Sequence, residues 1–154
     1  MTAPGISIRL AGADDAPAIA PLFDAYRCFY EQDTDLETAT RFLTERLARQ
    51  ESEILMACDQ KGWILGFCQL FPTFCSVEAK PIFSLYDLFV QPAHRRSGVG
   101  RALLLAAEDL ARARGKARMD LTTARSNLQA QALYESLGWQ LDTVFLAYNR
   151  RIAR

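Results

Sequence analysis

"QPAHRRSGVGRALL" occupies residues 91 to 104. Before it runs "PIFSLYDLFV" (81–90), an apolar stretch rich in aromatic and branched residues that suits a strand. After it, "SGVGRALLLAAEDLARARG" (97–115) puts Ala102, Leu103, Ala106 and Leu110 on one side of a helix, and Gly115 ends it. The whole reads as strand, loop, helix. A helix start offers N–H groups with no intrahelical acceptor and the positive end of a dipole, a natural anion site. Gly98 and Gly100 lack a Cβ, so an anion can approach the backbone. Arg95, Arg96 and Arg101 add charge in a fork that suits phosphate oxygens. The loop is therefore suited to a phosphate or pyrophosphate. It is not a P-loop, because no G-x-x-x-x-G-K-[ST] occurs. Nor is it a dinucleotide fingerprint: Leu103 stands where a third glycine is needed, and no early strand–glycine–helix unit opens the chain. The bland alternative is a basic helix start with glycines for a tight turn.

Toward the N-terminus, "ISIRL" (6–10) alternates like a first strand, and Asp14 can cap a helix that runs to about Tyr30. Pro17 is tolerated in its first turn, whereas Pro21 should kink or divide it. Thr34 and Glu37 form a capping box for a second helix with Leu36, Ala39, Leu43 and Leu47 at helical spacing. "EILMACD" (53–59) and "WILGFCQLF" (63–71) flank a Lys61-Gly62 turn as a hairpin. Toward the C-terminus, "KARMDLTT" (116–123) is another strand. Ser126 and Gln129 form a second capping box, for a helix to Leu137 with Gly138 as its stop. "WQLDTVFLAYNRR" (139–151) closes the chain as one or two strands. The order predicts a single α/β domain over 6–151, a mixed sheet that is parallel only where a helix crosses over, between 81–90 and 116–123.

Composition sets the outer limits. The 154 residues are half apolar, as expected of a globular domain, and no apolar run approaches the roughly 20 residues of a membrane helix. No signal peptide is visible in "MTAPGISIRL". Cys28, Cys58, Cys68 and Cys75 lack C-x-x-C spacing and read as reduced thiols of a cytoplasmic protein, implying neither zinc nor disulfides. Net charge is zero but unevenly spread. Residues 1–60 carry 5 basic and 11 acidic residues, a balance of −6; residues 61–154 carry 13 and 7, a balance of +6. Either these are solvated helix faces, or a basic half serves an anionic ligand and an acidic half a cationic one. Nucleic-acid binding would call for a more uniformly basic domain.

Arg95-Arg96-Ser97-Gly98-Val99-Gly100 matches the [RQ]-x-x-G-x-[GA] motif and resembles the GNAT superfamily of N-acetyltransferases. "LYDLFV" is similar to the strand before that motif, "RALLLAAEDLARARG" to the helix after it, and "SNLQAQALYESLGW" to the later Asn…Tyr…GF/GW segment. The element order resembles the superfamily from about residue 6 to 151. The stretches "AYRCFYEQD" and "LYDLFV" further resemble a branch of yeast histone and polyamine acetyltransferases and D-amino-acid N-acetyltransferases.

The resemblance implies a mostly antiparallel sheet whose two central parallel strands splay, flanked by helices. Acetyl-CoA as co-substrate, without a metal, would lie in the splay. Backbone N–H groups of Leu88, Phe89 and Val90 would meet the pantetheine, and one of them the thioester carbonyl. The pyrophosphate would rest on Arg95, Arg96, Ser97, Gly98, Val99, Gly100 and Arg101. Tyr134 matches the acid that protonates the departing thiolate; otherwise it is a packing tyrosine. Asn127 matches a pantetheine ligand or is simply a helix-start residue. The polyamine enzymes carry Glu-Asp where this chain has Tyr86-Asp87. Asp87 could thus be a base acting through water, an anchor for a substrate ammonium, or an acceptor for backbone N–H groups. Tyr26, Phe29 and Tyr30 could be core, lid or an aromatic wall around an alkyl-ammonium; Tyr30, Glu31 and Tyr86 are the candidates for the acceptor side, with Phe29 expected in the core and His94 an ordinary loop residue. The implied activity is acetyl transfer by direct attack of a small cationic amine, a polyamine or an amino acid. Acetylation of a protein N-terminus or lysine, or a non-catalytic acyl-CoA-binding domain, are the alternatives. Many relatives dimerise, so a homodimer is a further expectation; no nucleic acid or membrane partner is implied.

Overall fold

The four strands that the sequence pattern marks before residue 91 form, the fifth keeps only Met119–Asp120 of the expected 116–123, and all five join one sheet in the computed structural model, which describes residues 5–153. The chain order is β1 (Ser7–Leu10), α1 (Ala16–Phe29), α2 (Leu36–Ala48), β2 (Glu53–Cys58), β3 (Ile64–Cys75), β4 (Lys80–Val90), α3 (Val99–Ala113), β5 (Met119–Asp120) and α4 (Leu128–Ser136). The strands lie side by side in sequence order. The first three junctions are antiparallel, and β4–β5, joined through α3, is parallel. This is the α/β sheet of mixed, mostly antiparallel sense that the element order predicted.

Local chemistry explains most element bounds and several departures. α1 runs through Pro21 without dividing, because tertiary packing of Ile19, Ala20, Leu22 and Phe23 outweighs one missing hydrogen bond. Asp14 is not its cap. Asp15 takes that position and spends its carboxylate on Arg9 at 2.8 Å and on the Gly12 N–H at 2.8 Å. In α2 the cap is Asp35, which accepts from the Thr38 N–H at 3.0 Å, while Thr34 donates to Asp24. In α4 the cap is Asn127 rather than Ser126. β3 continues four residues past the expected end at Phe71 because β4 pairs with it as far as Cys75, and Pro72, which has no N–H to donate, is tolerated there because β2 pairs with β3 only up to Leu70.

Two aromatic and aliphatic layers cover the sheet. Phe67 and Phe89 meet Phe23, Ile19 and Leu43 of α1 and α2, whereas Val99, Ala102, Leu103, Leu104, Ala107 and Ala111 bury the inner stripe of α3. The stripe is shifted from the one expected: Ala106 and Leu110 are only half-buried. Phe29, expected in the core, is 54 % exposed, and Tyr26 takes that place against Phe23, Phe67 and Phe89.

The backbone divides between Thr122 and Thr123 into two units. The second holds α4 and the segment after it. The closing strands expected at 139–151 do not form: none of the described residues past Gly138 is in a strand.

Candidate active site

The loop between β4 and α3 is shaped by its backbone. Gln91 ties its start to β3, through its N–H to the Leu65 carbonyl and its Nε2 to the Ile64 carbonyl, both at 2.9 Å. Arg96 has φ 63° and Gly98 φ 87°, two left-handed residues within three positions. Gly98 is the N-cap of α3 and supplies no capping side chain. A left-handed residue followed by the right-handed first turn makes consecutive N–H groups converge on one concavity, a nest for an anion. The helix dipole adds to it. Ser97 Oγ donates to the His94 carbonyl. Arg95 folds back instead of hanging free: its Nε donates to the Val90 carbonyl at 2.9 Å, and its guanidinium lies 5.3 Å from the Phe89 ring centroid. It braces the loop against the strand, a contact the sequence does not announce. Arg96 and Arg101 are exposed beside the nest.

The strand leading into this loop is open along one edge. β4 and β5 pair only at Phe83–Met119 and Ser84–Asp120. From Leu85 to Val90 the backbone groups on the β5 side have no strand partner among the described residues, so the parallel strands splay as expected. On the other side Gly66 sits opposite Val90. A Cβ on Gly66 would lie 2.8 Å from the Phe89 carbonyl oxygen, so only glycine lets β3 approach the open end of β4 this closely.

Just before that end, β4 bulges. Gln69 pairs with Asp87 and Leu70 with Leu85, leaving Tyr86 as the extra residue. The bulge turns Asp87 toward α1, where it is 3 % exposed. Its carboxylate accepts a hydrogen bond from Gln69 Nε2. The Tyr26 hydroxyl donates to the Tyr86 carbonyl at 3.1 Å and is also within hydrogen-bonding reach of Asp87. Burial pushes the Asp87 carboxyl above the usual carboxylate range, and the bonds from Gln69 and Tyr26 offset that only in part. Burial, reinforced by Asp87, pushes the Tyr26 hydroxyl up too, so it stays a donor. Gln69 Oε1 is buried with no partner among the described residues. Gln69 escaped the sequence reading, although it is the one strongly polar residue in the apolar run 64–71, whereas Tyr26 was expected as core, lid or aromatic wall but not as a partner of Asp87. Tyr30 stacks edge-on against Tyr26 at 5.1 Å, and Tyr86 edge-on against Phe71 at 5.6 Å. Glu31 follows in a left-handed conformation, φ 66°, and the loop beyond is tied to α1 by Asp24, which accepts from Thr34 and from the Asp35 N–H. The structure thus gathers Tyr26, Tyr30, Tyr86 and Asp87 beside the open end of β4.

In the second unit, the Asn127 side chain caps α4 by accepting from the Ala130 N–H at 3.2 Å. Tyr134 lies on the last turn of that helix, with its ring 5.9 Å from Trp139. The Trp139 N–H closes the helix end on the Tyr134 carbonyl at 3.1 Å.

The family model of the acetyltransferase (GNAT) family matches residues 19–139. The chain belongs to the GNAT family. It is 48 % identical to the uncharacterized N-acetyltransferase YhfO of Bacillus subtilis over 143 residues, 93 % of this chain and 95 % of that one. It is 31 % identical to an aminoglycoside N(6')-acetyltransferase type 1 of Stenotrophomonas maltophilia, over 91 % and 90 % of the two chains. A crystal structure of a probable acetyltransferase superposes with a TM-score of 0.90 at 38 % identity, covering 96 % of this chain and 99 % of the other.

GNAT proteins are N-acetyltransferases that use acetyl-CoA as co-substrate, and this chain's own features fit it. The nest at Gly98 suits a pyrophosphate, and the open β4 edge suits an amide-bearing chain such as pantetheine. Cys68, opposite Leu88, is buried and its thiol is pushed up by burial and by Asp87, so it is no ready nucleophile for carrying an acetyl group. Among the described residues no group of three or more His, Cys, Asp and Glu side chains is placed to hold a metal, and no helix is long and apolar enough to cross a membrane.

Proposed function

We propose that this GNAT enzyme acetylates the primary amine of a small cationic molecule, such as a polyamine or amino acid, by direct attack on acetyl-CoA. The observation that carries this is the pairing of a cationic anion nest at one end of β4 with a half-buried aromatic and acidic cluster just before it. Arg96, Ser97, Gly98, Val99, Gly100 and Arg101 hold the pyrophosphate, with Arg95 bracing them. Along Leu88, Phe89 and Val90 the backbone N–H groups that face away from β3, alternate ones in the strand, meet pantetheine and the developing oxyanion, a large stabilising effect when such donors are preorganised. Asn127 adds a pantetheine contact. Tyr30 and Tyr86 offer ring faces to an ammonium, and Glu31 offers charge. The likeness of "AYRCFYEQD" and "LYDLFV" to the polyamine branch, and the cationic substrates in the name of the aminoglycoside relative, support that acceptor class.

An ammonium has no lone pair, so the bound amine must first lose a proton. Asp87, held above the usual carboxylate range by burial, draws closer in proton affinity to the ammonium and serves as the base, taking its proton through a water, or as the anchor beside it. As the C–N bond forms and the C–S bond breaks, the electron pair goes to sulfur, and the Tyr134 hydroxyl supplies the proton that makes the leaving group a thiol.

The test is a matched set of equal-length acceptors (diamine, monoamine and amino acid) assayed by release of free CoA thiol at low and moderate salt. The diamine should give the highest kcat/KM, and Glu31→Gln should lower it roughly 5- to 10-fold for the diamine while sparing neutral acceptors. A preference for neutral or acidic acceptors, untouched by the substitution, would reject the cationic assignment.

A further inference from the structure

Asp87 is a buried carboxyl without a cation of its own. Gln69 beside it is fully buried, and among the described residues Asp87 makes no ion pair. Arg27 of α1 acts on Asp24 and Asp35, Arg95 is engaged by the Val90 carbonyl and the Phe89 ring, and the buried stripe of α3 is wholly apolar. The titratable groups packed around Asp87 are Tyr26 of α1 and Cys68 of β3, both held neutral by burial, with Tyr30 edge-on behind Tyr26 and Tyr86 next in the strand. A lone charge in such surroundings costs far more than a neutral acid or an ion pair. Gln69 is suited to either form. Its Nε2 donates to the carboxylate, while its Oε1 is buried with no partner among the described residues. A half-turn of the amide brings Oε1 round to accept from a protonated Asp87.

Resting on the cationic acceptor assigned above, we propose that Asp87 holds a proton in the free enzyme and releases it to solvent as the acceptor's ammonium binds, with Gln69 and Tyr26 as the positioning residues that set this exchange. The Asp87 O–H bond breaks, its electron pair stays on the oxygen, and the proton leaves on water. One positive charge enters as another departs, so the total charge of the buried site is constant and no bare carboxylate has to be held. The carboxylate so formed faces the ammonium and takes its proton in turn through a water. A neutral acceptor displaces nothing. The site therefore selects cations by proton exchange, separately from the surface charge of Glu31. The raised proton affinity that burial gives Asp87 is the direction this exchange needs. While Asp87 is protonated in the free enzyme, cation affinity rises about tenfold per pH unit, and it levels off above that range, whereas affinity for neutral acceptors stays flat.

The test has two arms on the full chain. The first uses no ligand. The infrared difference between wild type and Asp87→Asn should show a protonated-carboxyl band that persists well above the ordinary carboxylate value of about 3.9. Gln69→Met and Tyr26→Phe each remove a donor to the charged form and should raise the proton affinity of Asp87 roughly tenfold. Either variant serves should the other misfold by circular dichroism. A packing role alone would lower stability and leave the midpoint of the band in place. A band already gone at the ordinary carboxylate value, or a midpoint that neither substitution moves, overturns the proposal. In the second arm a short diamine is titrated into CoA-saturated protein by calorimetry, in buffers of different ionisation heat. Below the midpoint of the band, release should approach one proton per diamine bound, and Asp87→Asn should release none. A diamine that binds wild type without releasing protons rejects the exchange alone. A diamine that does not bind rejects the cationic acceptor itself, and the exchange with it.

Discussion

The loop from Gln91 to Arg101 and the cluster around Asp87 adjoin along one strand, yet they are built in opposite ways. The loop is local: its nest needs only Gly98, the residues beside it and the helix that follows. The Asp87 cluster is assembled from afar, with Gln69 from β3 and Tyr26 from α1 brought to it by the β4 bulge. The loop is exposed and its work is done by backbone N–H groups. The cluster is buried and its work is done by side chains whose charge states depend on burial. A local anion site is robust to changes elsewhere but intolerant of any side chain inside it. A non-local one tolerates surface change but loses its chemistry when one packing partner moves.

The sharpest way to break the loop is Gly100→Val, which puts a branched side chain beside the first N–H groups of α3. CoA binding should fall below detection in titration calorimetry while the circular dichroism stays native. Unchanged binding would reject the nest as the pyrophosphate site.

On the other flank, Asp87→Asn should stabilise the protein in a pH-dependent way. Burial raises the folded-state pKa of Asp87, so the folded protein holds this proton more tightly than the unfolded chain. That contribution is complete below the ordinary carboxylate value of about 3.9 and is lost as pH rises through the raised folded value. The variant cannot lose it. Its melting temperature relative to wild type should therefore climb from mildly acidic pH toward neutrality. A difference flat across that range would mean that Asp87 does not feel its burial.

The smallest effect belongs to Glu31. It occupies the slot after the α1 C-cap, with its N–H on the Cys28 carbonyl and that of Gln32 on the Arg27 carbonyl, both at 3.0 Å, a geometry that glycine fills without strain. Glu31→Gly should stabilise the fold by about 1 kcal/mol, a rise of roughly 2–4 °C in Tm. At the same time it should cost affinity for cationic acceptors. A lower Tm would show that the left-handed conformation is not a strain the side chain bears.

These contrasts mark what could be read in advance. All four α-helices end in the same left-handed motif. Gly115 and Gly138 announce two of those ends, whereas Glu31 and Gln50 hide the other two, because there the N–H groups of Gln32 and Glu51 close on the Arg27 and Arg46 carbonyls around an ordinary residue in the glycine conformation. The caps at Asp35 and Asn127 were misplaced by one residue because neighbouring Thr34 and Ser126 carry equally suitable oxygens, and only the chain path chooses between them. Asp87 was legible as a buried acid in need of a partner, but that Gln69 and Tyr26 are those partners was not, since nothing in sequence separation ties residues 26, 69 and 87 together.

By itself, the sequence determined the element order, the crossover helix with its glycine-marked start, and the alternation of the strands. These follow from residue-scale sterics and from periodicity, which act within a few positions. Tertiary structure decided where β4 and β5 part, which way the bulge turns Asp87, and that Tyr26 rather than Phe29 enters the core. Pairing, burial and proton affinity each depend on what another part of the chain brings alongside, and a local pattern carries no record of that.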